Sequence, residues 1–371
     1  MYKQIKVLYI TTVPTPYKVA LFEELGRHCD LTVIFENKEV SYRQKEWMKQ
    51  EFVSFKAVFL KGIKIKDKKI SCGIFKYIEN EEYDIIIVGV YSTISQMLAQ
   101  IYMKIKKNSY ILSSDGGMIK NEGKISYAVK RYFISSAQEW LSTGKVTSEY
   151  LIYYGAKSDH IYTYPFSSVA EKDVLVAPDS FEIKQKFKCN LGMEEKCVVV
   201  SVGQFIYRKG FDVLIKAASK LPEIGIYIIG GEATEEYRKL KEQYHAYNVH
   251  FVGFKSKEEL SEYYRAADLF VLPTREDIWG LVVNEAMAYG LPVITTEKCV
   301  AGLEMVSDGL GEIVGIDSVE ELVAAMEKWN DANRRKRAEN LILETARSYT
   351  IETMAQKHFK IFTKIMHDRR E

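Results

Sequence analysis

The sequence predicts an α/β fold made of two units, each a parallel sheet covered by helices. Three observations carry this. Apolar runs of strand length alternate with amphipathic segments of helix length along the chain. The runs are continuously apolar, as expected for strands buried on both faces, and such burial needs helical crossovers. The alternation occurs twice, with a break near 165–180, where SSVAEKDVLVAPDS loses the period. A chain of 371 residues is long enough to bury two separate cores.

In the first half, strands are expected at 5–10, 31–35, 85–90 and 110–113. In the second half they are expected at 197–202, 226–229, 249–252, 269–272 and 292–295. The domains are accordingly placed at 1–170 and 175–350. A last helical pattern, within 351–371, is expected to pack back on the first domain.

The net charge of +2 gives no reason to expect a nucleic-acid partner. The charge is uneven, however. Residues 1–170 hold 24 Lys/Arg against 17 Asp/Glu, and the remainder holds 28 against 33. A basic half reads either as a solvated lysine-rich face or as a surface for an anionic partner. The densest basic stretches are 56–69 (KAVFLKGIKIKDKK) and 104–107, which would suit anionic lipid.

The cysteines, Cys29, Cys72, Cys189, Cys197 and Cys299, are scattered and odd in number, with no CxxC spacing. That pattern fits a reducing compartment better than a disulfide framework or a metal cluster. The opening MYKQIKVLYITT reads as a strand rather than a secretory signal. The longest apolar run, 85–91, is far short of the ~20 residues that span a bilayer. The expectation is a cytoplasmic protein, free or at the inner face of the cytoplasmic membrane.

Two segments of the second half carry chemistry. The first is Gly203-Gln-Phe-Ile-Tyr-Arg208-Lys209-Gly210, between an expected strand and an expected helix. Ligands of open parallel sheets bind at the carboxyl ends of strands. Two adjacent cations there suit a diphosphate: Arg208 as a planar bidentate donor, Lys209 as a compact charge. Gly203 lets backbone approach a ligand, and Gly210 opens the helix. Alternatively, the segment is an ordinary exposed basic loop.

The second runs from Pro273 through Glu276, Asp277, Gly280 and Glu285 to Gly290 and Pro292. A strand enters an acidic turn, and a helix starts at Gly280-Leu281. The free N–H groups of its first turn form an anion site. Glu285, one turn further in, suits two vicinal ribose hydroxyls, while Glu276 and Asp277 suit sugar hydroxyls. Gly290 and Pro292 are plain helix-end grammar. The acidic pair at the start of an apolar helix is not.

These segments resemble the retaining family 4 glycosyltransferases of the GT-B fold, of the glycosyl transferases group 1 type. The hallmark is E-x7-E before A-x-A/M-x-x-G-x-P-V-I, preceded by G-x-x-x-x-K-G. The resemblance covers nearly the whole second half and is weaker over residues 1–165. It implies two Rossmann-like domains facing each other across a cleft, with the acceptor on the first and a nucleotide sugar on the second. Arg208 and Lys209 resemble the pair that grips the diphosphate, and Glu285 the glutamate that holds the ribose. Here the motif reads D-x7-E, so either Asp277 or its neighbour Glu276 takes the first acidic place. Phe254, after Gly253, is either a core residue or a support for the base.

In the first half, TTVPTPY at 11–17 holds no G-x-G-x-x-G, which argues against nicotinamide binding. Ser113-Ser114-Asp115-Gly116-Gly117 lies where relatives often carry a histidine. Asp115 is either a turn former or a group near the reacting centre. Gly116 and Gly117 would let backbone approach donor or acceptor.

The expected function is transfer of a sugar, with retention, from a UDP- or GDP-linked donor to a saccharide or lipid-linked acceptor. The setting would be polysaccharide or glycolipid synthesis. No cofactor and no metal are expected. The alternatives are a non-catalytic nucleotide-sugar-binding subunit and a GT-B sugar-nucleotide epimerase.

Overall fold

The structure is a computed structural model that describes residues 4–37, 52–65, 68–80 and 82–369. The chain divides into two compact units, one of residues 1–168 with 350–371, the other of 169–349.

The first unit opens with β1 (Lys6–Thr11), α1 (Pro16–Gly26), β2 (Asp30–Phe35) and β3 (Lys56–Phe59). A small antiparallel pair, β4 (Ile63–Ile65) and β5 (Lys68–Ile70), precedes α2 (Ile74–Asn80) and β6 (Ile85–Val88). Then come α3 (Ile94–Lys106), β7 (Ile111–Ser114), α4 (Lys124–Ile134), β8 (Glu139–Ser142), α5 (Lys145–Tyr153) and β9 (Ile161–Thr163). The main sheet is parallel, in the order β3-β2-β1-β6-β7-β8-β9. Its interior strands read as the sequence suggests: residues 7–11 of β1 and all of β6 are buried.

The second unit runs through α6 (Phe181–Asn190), β10 (Cys197–Val202), α7 (Phe211–Ala218), β11 (Ile224–Ile229), α8 (Glu235–Gln243), β12 (Val249–Val252), α9 (Lys257–Ala266) and β13 (Leu269–Leu272). It continues with α10 (Leu281–Ala288), β14 (Val293–Thr296), α11 (Val300–Met305), β15 (Gly311–Val314), α12 (Val319–Trp329) and α13 (Ala332–Arg347). Its parallel sheet has the order β12-β11-β10-β13-β14-β15. From β10 the chain winds outward one way through β11 and β12. It then returns to lay β13 on the other side of β10 and winds the opposite way. The reversal makes the junction of β10 and β13 a topological switch point, the place where open parallel sheets bind their ligands.

The expected strands lie within two residues of the observed ones. Among the described residues six were not anticipated: β3, β4, β5, β8, β9 and β15. They are short, and β3 and β8 open on charged residues, so they lack the continuous apolar run that identifies the others. The basic stretch 56–69 is only partly within the described residues. Its first four residues are β3, and residues 66–67 lie outside.

The final helix, α14 (Ile351–Asp368), packs on α1 within the first unit. Its buried residues Ile351, Met354, Ala355, His358, Ile361, Phe362 and Ile365 recur every three or four positions, as one helix face requires. Thr350 caps its first turn by accepting from the Thr353 backbone N–H at 3.2 Å. His358 is the misfit on this face. Its Nδ1 pairs with the Met354 carbonyl at 2.8 Å, its ring packs on Tyr164, and its Nε2 has no hydrogen-bond partner among the described residues.

Burial therefore holds the His358 imidazole down at about 4, against an ordinary 6.5. Between those pH values the unfolded chain takes up a proton that the folded chain refuses. Stability is fully present above about pH 6.5 and falls as pH drops toward 4. At ~1.36 kcal/mol per unit, the loss is about 3 kcal/mol. His358→Phe should flatten this part of the pH profile relative to wild type. Parallel thermal midpoints for the two proteins from pH 7 to pH 4 would contradict it.

Candidate active site

In the second unit, the loop after β10 carries Gly203 to Gly210, and the loop after β13 carries Pro273 to Gly280. These are the two strands that flank the switch point. The residues singled out in the sequence thus come from 70 positions apart to one place.

Several contacts join the two loops. The Arg275 N–H donates to the Arg208 carbonyl at 2.8 Å, and Thr274 Oγ1 donates to the same oxygen at 2.9 Å. In return, Arg208 Nη1 donates to the Glu276 carbonyl at 2.6 Å. The closest approach is at Gly210. It has φ +69°, and a Cβ built there would lie 1.9 Å from the Pro273 carbonyl oxygen. Glycine is needed here for the backbone conformation and for the space. It is also the N-cap of α7.

Within this frame Lys209 Nζ lies 2.6 Å from Asp277 Oδ2, and Arg208 Nη1 lies 3.6 Å from the same oxygen. Asp277 is buried and Lys209 half-buried, while Arg208 is exposed. The two cations and one carboxylate form a cluster of formal charge +1. Its carboxylate is that of Asp277. Glu276 supplies its carbonyl oxygen, to Arg208 and to Thr274 Oγ1. The Asp277 backbone is held by the Lys298 carbonyl and the Val300 N–H, which fixes its position against the loop before α11.

Gly280 is the N-cap of α10, with φ +102°, and no side chain caps the helix. A Cβ at Gly280 would lie 2.7 Å from Cys299 Sγ. Leu281 is the first helical residue, and its partial exposure leaves the first turn accessible. Beneath it the buried Trp279 indole donates to Asn284 Oδ1 at 2.7 Å, pinning the turn to the helix. Glu285, half-buried one turn on, accepts from Tyr264 Oη at 3.1 Å. That bond orients one carboxylate oxygen. Gly230, after β11, abuts Gly203, whose carbonyl would lie 1.8 Å from a Cβ at Gly230. Phe254 is 60% exposed at the end of β12, which removes the core alternative.

Sequence reasoning missed Arg275. Its guanidinium grips Asp212 with two bonds, at 2.8 and 2.7 Å, and its Nε donates to Asp317 at 2.7 Å. It also donates to the Tyr207 carbonyl at 2.6 Å and stacks 3.9 Å above the Tyr207 ring. Asp212 and Asp317 lie 63 and 42 residues away, so no local signal marked this anchor.

In the first unit, Asp115 follows β7. Its Oδ2 lies 2.8 Å from Lys18 Nζ and accepts from Tyr17 Oη at 3.2 Å. Lys18 is buried on α1 and also donates to Thr11 Oγ1. Burial alone would lower the Lys18 pKa, but Asp115 and Tyr9 together outweigh it and the net shift is upward. Asp115 is therefore more than a turn former: it is the counterion of a buried lysine. Gly116 has φ +138°. At Gly117, a Cβ would meet the Tyr150 ring at 2.7 Å, so packing by itself demands glycine there.

Two parallel α/β units of this construction define a protein of the GT-B fold class. Residues 182–346 match the family model for glycosyl transferases group 1. Over 157 residues the chain is 35% identical to mannosylfructose-phosphate synthase of Agrobacterium fabrum, a match covering 38% of this chain and 34% of that protein. Over 129 residues it is 35% identical to the lipopolysaccharide glucosyltransferase WaaG of Escherichia coli K12, covering 33% of each. The match thus spans about a third of these relatives' lengths. The fold of the Anabaena protein HepE, crystallised with UDP, is similar over 97% of this chain and all of that one. The TM-score is 0.78 at 16% identity, a likeness of fold alone.

Proposed function

We propose that the protein is a retaining glycosyltransferase that moves a hexosyl group from a UDP- or GDP-linked sugar to a saccharide or lipid-linked acceptor. The observation that carries this is the +1 cluster of Arg208, Lys209 and Asp277 at the switch point, beside the uncapped start of α10. A diphosphate would be held there by the two cations and the first-turn N–H groups of α10, all fixed before the ligand arrives. Negative charge grows on the diphosphate as the sugar leaves, so the same groups stabilise the transition state more than the ground state. In this proposal they replace a divalent metal. Glu285 would bind the ribose, Phe254 the base, and Asp277 or Glu276 the transferred sugar. Asp115, with Gly116 and Gly117, would meet the acceptor. The named activity of WaaG supports a glycosyl acceptor of the polysaccharide or glycolipid kind.

A thermal-shift panel of UDP, GDP, ADP and their sugar conjugates, with EDTA present, tests the donor site. A ligand at 100 times its dissociation constant should add about 2.7 kcal/mol. One nucleotide family is expected to stabilise the wild type. Stabilisation by none would overturn the proposal. Stabilisation without turnover on any acceptor would turn it to a binding subunit.

A further inference from the structure

The second unit holds a cavity of about 1130 Å³ that shares no lining residue with the loops after β10 and β13. It lies between α6 and α13, where Lys184 Nζ and Glu339 Oε1 meet at 3.0 Å. Cys197, which opens β10, and Asp268, which precedes β13, also line it. The cavity is therefore at the amino ends of the two strands whose carboxyl ends carry the Arg208–Lys209–Asp277 cluster. At ~3.3 Å per residue, β10 separates the two places by roughly 20 Å.

The buried charges of the cavity are Lys188, Arg335 and Asp268, at 3%, 8% and 9% exposure. Lys188 Nζ donates to Asp268 Oδ2 at 2.7 Å and to the Lys196 carbonyl at 2.8 Å. Asp268 Oδ2 also accepts from the Val198 N–H at 3.0 Å. Lys188 thus neutralises Asp268 by itself, and Arg335 is the surplus cation. Its Nη2 stands 3.6 Å from Asp268 Oδ1, beyond hydrogen-bond distance, while Nη1 donates to the Trp329 carbonyl at 2.7 Å. The Nε–H and both Nη2–H groups make no hydrogen bond among the described residues. Burying an arginine with unspent donors is costly unless an acceptor meets them. The rim does not cancel this charge. There the exposed Lys196 and Lys336 balance the exposed Glu182 and Glu223, and Asp179 is gripped by Arg265 at 2.7 Å. The first turns of α6 and α13 also border the cavity, at Phe181 and Ala332, and their helix dipoles favour negative charge.

We propose that this cavity is a second anion site, which binds a phosphate group on the unspent fork of Arg335. A planar guanidinium with two adjacent N–H edges matches phosphate geometry. Gln185, Asn330 and Asn340 line the same cavity and offer neutral donors and acceptors to whatever the phosphate carries. The ligand is free phosphate or the phosphate of a small polar ester. The site is separate from the donor cluster and does not rest on the proposed reaction.

The test is titration calorimetry of the full chain with inorganic phosphate and with glycerol 3-phosphate, at constant ionic strength. Wild type should bind phosphate saturably. Lys209→Ala, which removes a donor cation, should leave an affinity within about threefold of wild type, since the two places are far beyond a Debye length apart. Arg335→Lys keeps the charge beside Asp268 and removes the fork, so it should weaken phosphate binding about tenfold. Gln185→Glu with Asn340→Asp adds negative charge at exposed helix positions, leaves the fold intact, and should weaken binding about tenfold as well. Tighter binding of glycerol 3-phosphate than of phosphate assigns the site to a phosphate ester, and equal binding assigns it to the free ion. Absence of saturable binding, or binding that Lys209→Ala abolishes, overturns the proposal. So does unchanged affinity in the Gln185→Glu, Asn340→Asp variant, or in Arg335→Lys with its thermal midpoint lowered, because Arg335 would then only support the fold. None of these outcomes depends on nucleotide binding or turnover.

Discussion

Lys209→Ala is expected to lower kcat/KM for the donor by about 10²–10³, the effect of removing one preorganised group from developing charge. It should also lower stability, since buried Asp277 loses the cation 2.6 Å away and keeps only Arg208 at 3.6 Å. The two effects separate in a double variant. Asp277→Asn on the Lys209→Ala background removes the stranded charge, so the thermal midpoint should recover. If Lys209 serves the donor, nucleotide binding stays weak in the double variant. If it serves only to neutralise Asp277, nucleotide binding recovers with stability. Donor kinetics of Lys209→Ala within about threefold of wild type would remove the site from contention.

Gly210→Ala tests the joint between the two loops. Its φ of +69° costs a side chain about 1–2 kcal/mol. The clash with the Pro273 carbonyl adds overpacking of about 1–3 kcal/mol. The sum is about 3 kcal/mol, or roughly 6–12 °C for a unit of this size. Gly192, after α6, is the control. Its φ is +67°, but nothing lies within 4 Å of an added Cβ. Gly192→Ala should therefore show the strain alone, about 1 kcal/mol. Gly210→Ala should also weaken nucleotide binding, because Arg208 and Lys209 ride on the displaced turn. Equal melting of the two variants would show that the loop gives way without cost.

Much of the site was legible because each of its parts is local. Gly203 to Gly210 and Pro273 to Gly290 are continuous runs in which strand, turn and helix start follow from neighbours in sequence. The preference for glycine at 210 and 280 is a backbone property, and the apolar strands are a pattern of period and burial. The same reasoning misplaced nothing large, yet it overlooked β8 and β15. β15 reads GEIV, with a charge in the middle and a glycine forced by the Val293 carbonyl 1.9 Å from where its Cβ would be. The requirement comes from β14 across the sheet, so no scan along the chain could find it.

Sequence by itself determined the two α/β units, the interior strands of both sheets apart from β8, and the two loops with their cations, acids and glycines. These follow from interactions among residues a few positions apart, where periodicity and propensity act. Tertiary structure alone decided that Asp277 is the carboxylate facing Lys209, that Arg275 ties Tyr207 to Asp212 and Asp317, and that Asp115 answers a buried lysine on α1. It also decided that Ile125 of α4 stays exposed, which the sequence pattern by itself could not show. Each is a matter of which distant groups meet. An ion pair between residues far apart leaves no periodic trace in the chain, because its energy depends on separation and burial in space and not on position in sequence.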